Sequence, residues 1–181
     1  MYILHFDGLF KTAAEIQQLP HDCGFLSYGW FVERSGQVIA HGLGTYLRRK
    51  SASSSVAEYL AMIEGLEALI DLNACDEPVS VIGDAKSVID QMQGTTGVTS
   101  GDIRPLYDRA CKLAEQFVHL QWEWTPREYN KLADALTRRA IHQMRAAKDS
   151  YHKGIRSLAP NHGAQKANET CLMGVTVIRA M

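Results

Sequence analysis

The sequence predicts an α/β domain with the element order βββαβααβα. Three observations predict it: a β-rich first third with a hairpin signal, a switch to helical spacing at Val56, and short apolar strands that alternate with helices from Val79 onward. Tyr2–Phe6 is rich in strand formers with apolar residues on both faces, as a strand near the middle of a sheet requires, and Gly8 closes it with Asp7 at the exit. The polar stretch Lys11–Asp22 has no clear period. Gly24–Glu33 and Gln37–Leu47 read as two strands joined at Arg34-Ser35-Gly36, which predicts an antiparallel pair.

Val56, Leu60, Ile63, Leu66 and Ile70 then recur at helical spacing behind Ser53, Ser54 and Ser55, whose hydroxyls can accept from the orphan amides of a first turn. Val79, Val81 and Ile82 form a short strand ending at Gly83-Asp84, where Asp84 is placed to cap a helix through Val88, Ile89 and Met92. Gly94–Gly101 is a loop of mostly small polar residues. Ile103–Phe117 reads as helix, Val118–Trp124 alternates like a strand, and Asn130 is placed to cap a last helix through Leu132, Leu136, Ala140 and Met144.

A chain of 181 residues with 46% apolar and 22% charged residues predicts one domain, or one domain with an appendage, and buries a substantial core. It is not a disulfide-held miniprotein or a disordered chain. Lys+Arg 19 against Asp+Glu 20 leaves a net charge of -1, so any nucleic-acid contact must come from a local basic stripe. Cys23, Cys75, Cys111 and Cys171 form no C-x-x-C pair, which suggests neither a zinc site nor a disulfide framework and fits a reducing cytoplasm. Residues 1–7 carry no leader pattern, and Leu60–Leu72 is broken by Glu64, Glu67 and Asp71, so neither secretion nor membrane spanning is expected. The domain boundary is expected at residue 149. In the tail, 150–181, the residues after Ser150 hold Lys153, Arg156, Lys166 and Arg179 against Glu169 alone, +3 against -4 for the rest. Cys171–Ile178 is apolar enough to add a strand or dock.

Asp7 leaves the first strand, Glu58 lies in the first turn of the first helix, Asp84 ends the fourth strand, and Asp134 sits in the first turns of the last helix. Taken singly, Asp84 reads as a helix cap and Glu58 as an acid favoured by the helix dipole. Asp7 is different, because an acid leaving a strand buried on both faces needs a partner or a metal. Strand ends in open α/β sheets collect ligands, and four converging carboxylates repel unless divalent cations join them. Two Mg²⁺ roughly 3.5–4 Å apart would suit in-line attack by water on a phosphodiester, without a side-chain nucleophile.

Phe6-Asp7-Gly8, the run Ser54-Ser55-Val56-Ala57-Glu58-Tyr59, Val81-Ile82-Gly83-Asp84 and Pro126-Arg127-Glu128-Tyr129-Asn130-Lys131-Leu132-Ala133-Asp134 strongly resemble the four motif blocks of type 1 ribonuclease H, in the family's order. The match spans roughly residues 1–145 and looks like the compact form of archaea, many bacteria and plants. The resemblance implies a ribonuclease H-like five-stranded mixed sheet, three antiparallel strands and then parallel ones, flanked by helices. It also implies metal-dependent hydrolysis of the RNA strand of RNA–DNA hybrids to 5′-phosphate and 3′-hydroxyl ends. Asp7, Glu58, Asp84 and Asp134 would ligate two Mg²⁺, with Mn²⁺ as a substitute, and the protein would act as a cytoplasmic monomer.

Where the family usually carries Thr-Asn-Asn before the helical acid, this chain has Ser53-Ser54-Ser55. Residues 11–23 form an insertion, and Ala85 replaces a common Ser. Distinguishing RNA from DNA requires sensing the 2′-OH across a minor groove, for which Gly8, Ser54, Ser55 and Lys86 are candidates, with Ser53 beside them as a nucleic-acid contact. Arg48 with Arg49 and Lys50, Arg127 and Asn130, and the Arg138-Arg139 pair are candidate backbone contacts, salt-dependent where they meet phosphate. Trp30, Trp122 and Trp124 alternate with other residues on strands and read as packing residues. A phosphatase with an aspartyl nucleophile at Asp7 is excluded, since it needs an acid two residues away and finds His5 and Leu9. The competing function is a catalytically weak or silent nucleic-acid-binding module on the same fold, which would gain nothing from concentrated negative charge.

Overall fold

The computed structural model describes residues 1–12, 24–48 and 51–147, and the backbone of 169–173 and 178–179. The core is a five-stranded mixed sheet in the order β3-β2-β1-β4-β5, built from β1 (Tyr2–Thr12), β2 (Gly24–Arg34), β3 (Gln37–Arg48), β4 (Val79–Gly83) and β5 (Leu120–Trp124). β1 runs antiparallel to β2 and parallel to β4, which places it at the centre with neighbours of both kinds. Ser35 (φ 53) and Gly36 (φ 76) turn β2 into β3 where the hairpin signal stands.

The first strand is longer than the sequence suggests. Gly8 reads as a terminator, yet β1 continues to Thr12, paired along its length with Gly24–Arg34. Gly8 is instead a point of close approach. A Cβ there would lie 2.2 Å from the Glu58 amide nitrogen and 2.4 Å from the Ala57 carbonyl carbon, in the first turns of helix α1 (Ser54–Asp71).

Strand pleating sends successive side chains to opposite faces. Leu4 and Phe6 of β1, with Trp30 of β2, pack beneath Met62, Ile63 and Leu66 of α1 in the larger core. The other face receives α4 (Lys131–Ala146), whose Ala133, Leu136 and Ala140 pack on Phe31 and Leu43. Gly29, opposite Asp7 in the ladder, lets α4 approach, since a Cβ there would lie 2.7 Å from the Thr137 amide nitrogen. The short α2 (Lys86–Met92) and α3 (Arg104–Ala114) complete the α1 side.

Ser53 caps α1 as expected, accepting the Val56 N–H at 3.3 Å. Asp84 and Asn130 do not cap. Ala85 and Asn130 hold the N-cap positions of α2 and α4 without a side-chain capping bond. Two short strands, β6 (Glu169–Met173) and β7 (Ile178–Arg179), pair antiparallel with the outer edge of β3, so part of the basic tail extends the sheet. Most of the insertion, Arg49 and Lys50, and the rest of the tail lie outside the described residues. Among the described residues no helix is long and apolar enough to cross a membrane.

Candidate active site

The parallel ladder between β1 and β4 ends at Phe6↔Gly83, and the next residue of each strand is an acid, Asp7 and Asp84. α1 rests on Gly8 and brings Glu58 to the same crevice. One carboxylate oxygen from each of Asp7, Glu58 and Asp84 lies within 4.8 Å of the other two. Asp7 is 3% and Glu58 6% exposed, so this negative charge is held away from bulk water.

Several bonds fix the frame. Asn130 donates Nδ2 to the Phe6 carbonyl oxygen at 2.8 Å and reaches Asp84 Oδ1 at 3.5 Å. The Thr137 hydroxyl lies 3.1 Å from the Asp7 carbonyl oxygen and 3.0 Å from that of Ala133, which ties α4 to the strand carrying the first acid. The Gly8 backbone amide favours the charged form of Glu58, while Glu58 Oε2 is buried without a hydrogen-bond partner. A buried, unpartnered carboxylate oxygen is costly unless something positive meets it.

Burial pushes the Asp7 carboxyl up to about 6; Asp84 and Asp134 add to this, while Thr137 and Arg127 oppose it. Burial, with Asp7 and Asp84 alongside, raises Glu58 well above the usual carboxylate range. A carboxyl raised in the folded state binds more protons folded than unfolded, so its contribution to stability falls as pH climbs from about 4 through 6. Without metal, Asp7→Asn is therefore expected to be more stable than the parent at pH 7.5 by a few kcal/mol, on the order of two pKa steps. The gain should vanish near pH 4, as read from paired urea titrations. A gain that does not vary with pH would contradict this placement of Asp7. Saturating Mg²⁺ should shrink the difference at pH 7.5 by stabilising the parent.

Asp134, the fourth expected ligand, stands apart from the close group. Its carboxylate accepts from Arg127 at 2.5 Å and from Arg138 at 2.6 Å. Burial disfavours its charged form, but these two guanidinium groups outweigh burial and hold it below the usual carboxylate range. Asn130 is not available as a nucleic-acid contact: it is 1% exposed, and its Nδ2 is directed at Phe6 and Asp84. The Gly8 amide is likewise turned inward to Glu58, and the Ser53 hydroxyl to its helix cap. Ser54 is exposed and Ser55 half-buried at the start of α1. Lys86 is exposed and pairs with Asp90 at 2.9 Å, and Arg48 donates to the Ser51 carbonyl oxygen at 3.2 Å. Of the tryptophans, Trp30 is a core residue at 1% exposure, whereas Trp124 is 44% exposed beside Asp84.

Residues 29–140 match the family model described as reverse transcriptase-like. The chain belongs to that family. Within it, the likeness is to ribonucleases H of type 1. A bifunctional protein of Mycobacterium tuberculosis is 39% identical over 122 residues, covering 67% of this chain and 32% of the relative. The chain thus spans about a third of the length of the curated relatives it matches first. The solved N-terminal RNase H domain of the same mycobacterial protein superposes with a TM-score of 0.65 at 28% identity, covering 82% of this chain and 99% of that one. The crystal structure of RNase H1 from the archaeon Halobacterium salinarum gives a TM-score of 0.64 at 26% identity, covering 78% and 98%. The ribonuclease H-like fold expected from the motif blocks is the one observed.

The structure also shows a contributor to which the sequence assigns no role, Thr137, and it gives Trp124, expected only to pack, a hydrogen bond to the Asp84 carbonyl oxygen. Thr137 lies one helical turn after Ala133 on the face of α4 turned toward β1, a position that periodicity alone could have flagged as inward-facing and polar.

Proposed function

We propose that the chain is a metal-dependent endoribonuclease that hydrolyses the RNA strand of RNA–DNA hybrids and leaves 5′-phosphate and 3′-hydroxyl ends. The observation that supports it most is the close group of Asp7, Glu58 and Asp84 at the end of the β1–β4 ladder, with a buried Glu58 oxygen lacking a partner. This donor set, three hard carboxylates and no thiol or imidazole, suits Mg²⁺, with Mn²⁺ as a substitute. Two such ions would supply an activated water and charge stabilisation at the leaving oxygen when bound.

The chain's own residues prepare that site. Asp7 anchors it from β1 and Asp84 from just past the end of β4, and Glu58 closes it from α1, which rests on Gly8. Asp134 is the fourth ligand in this reading, released as Arg127 and Arg138 turn toward substrate phosphates. The Arg127 and Arg138 side chains are 62% and 64% exposed, and exchanging such surface pairs for a phosphate costs little. Ser54, Ser55 and Lys86 read the 2′-OH, while Arg48 contacts the backbone. Residues 1–149 carry the chemistry as a cytoplasmic monomer, and the tail from residue 150 adds positive charge for binding.

A panel of strand-labelled substrates tests the reading. With Mg²⁺ present, the RNA strand of the hybrid should be cut while single-stranded RNA, duplex RNA and duplex DNA stay intact, and the products should carry 5′-phosphates. Salt-sensitive binding of the hybrid without cleavage would favour the silent binding module instead.

A further inference from the structure

Asp84 differs from the other two acids in how it is held. Asp7 sits within β1, paired with β2, and Glu58 lies in an 18-residue helix, but Asp84 falls between the last residue of β4 and the Ala85 cap of α2. The Ala85 backbone (φ -78, ψ 86) is not helical, and no side chain caps α2, so the helix does not lock the acid in place. Two bonds from the end of β5 and the residue after it take over. The Thr125 N–H donates to the Gly83 carbonyl oxygen at 3.0 Å, and the Trp124 indole Nε1–H donates to the Asp84 carbonyl oxygen at 3.0 Å. Trp124 ends β5 directly opposite Gly83, so its side chain needs only to lean along the strand to reach the next carbonyl. At 44% exposure this tryptophan is only partly packed, and its directed contribution to the site is the N–H.

We propose that Trp124 is a positioning residue for the cation site: its indole N–H fixes the Asp84 peptide so that the carboxylate faces Asp7 and Glu58. This rests on reading the three acids as a metal site. Partners that orient a ligating carboxylate commonly govern metal affinity by 10- to 100-fold.

The test is Mn²⁺ binding without nucleic acid, read from the electron paramagnetic resonance of free Mn²⁺, for the full chain, Asp84→Asn and Trp124→Phe. The phenylalanine keeps a ring and removes the donor. Trp124→Phe is expected to bind Mn²⁺ about tenfold more weakly with an unchanged thermal midpoint in EDTA. Parent-like affinity in Trp124→Phe, or a loss that follows only the unfolded fraction, overturns the proposal. Equal binding by the parent and Asp84→Asn overturns the metal-site reading and this inference with it. If Trp124→Phe does not fold, the indole ¹H–¹⁵N resonance of Trp124 in the parent decides. It should shift on Mg²⁺ titration and stay still in Asp84→Asn; no shift in the parent overturns the role.

Discussion

Asp84→Asn is expected to lower turnover of an RNA–DNA hybrid at least about a thousandfold, the upper range for loss of one electrostatic stabiliser, with the fold intact. The carboxylate is half-buried, its side chain accepts only a long contact from Asn130, and the Trp124 bond goes to its main chain, so the amide fits the same space. What disappears is one of three carboxylates whose oxygens lie within 4.8 Å of one another. Metal-free stability should hold or rise, because like charges in the cluster repel. The acids act as a unit, so Asp7→Asn with Asp84→Asn should cost little more turnover than either alone. Single-turnover rates beside urea titrations measure both, and near-parent activity in either single variant would remove that acid from the site.

Gly8→Ala is expected to damage stability and activity together. The new methyl would meet the backbone of Ala57 and Glu58 at 2.2–2.8 Å, and backbone cannot rotate away as a side-chain tip would. Either α1 lifts from β1 or the strand bends, at a cost of roughly 1–3 kcal/mol by comparison with overpacked cores. Both responses move Glu58 relative to Asp7, and a displacement of about an ångström at a reacting site costs on the order of 100-fold in rate. Gly36→Ala provides the contrast. Its Cβ meets nothing within 4 Å, so it should lose only the modest stability that its φ of +76 demands and keep its rate. Equal rates in the two variants would show that close packing over Gly8 does not set the geometry of Glu58.

Much of this was legible in the sequence because periodicity and local chemistry agreed. The helical spacing from Val56 to Ile70 and the serine cap before it are both present as read, and the strand pattern around Val79–Ile82 runs parallel to β1. The misreadings share a cause. A stop at Gly8 and caps at Asp84 and Asn130 are the local roles those residue types favour, whereas the tertiary structure sets Gly8 under α1 and Asn130 against Phe6, 124 positions away, and leaves Asp84 only the place in the acid group that its motif block implies. Propensity sees neighbours in sequence and misses a helix resting on a strand. The pairing of Asp134 with Arg127 and Arg138 was equally hidden. The motif places the acid near the site, but which partner its carboxylate faces depends on side-chain geometry. Trp124 looked like any alternating strand aromatic because nothing in the pattern says that its N–H meets the turn after β4.

The most direct test of the central claim, that the acid group works with a divalent cation to cut RNA paired to DNA, is one cleavage time course. A hybrid labelled on its RNA strand is followed with the full chain in Mg²⁺, in EDTA, and in EDTA followed by excess Mg²⁺, beside Asp84→Asn. RNA cleavage is expected in Mg²⁺, none in EDTA, recovery on adding the metal back, and no appreciable cleavage by Asp84→Asn. Cleavage that persists in EDTA, or that Asp84→Asn performs at the parent's rate, would contradict the claim.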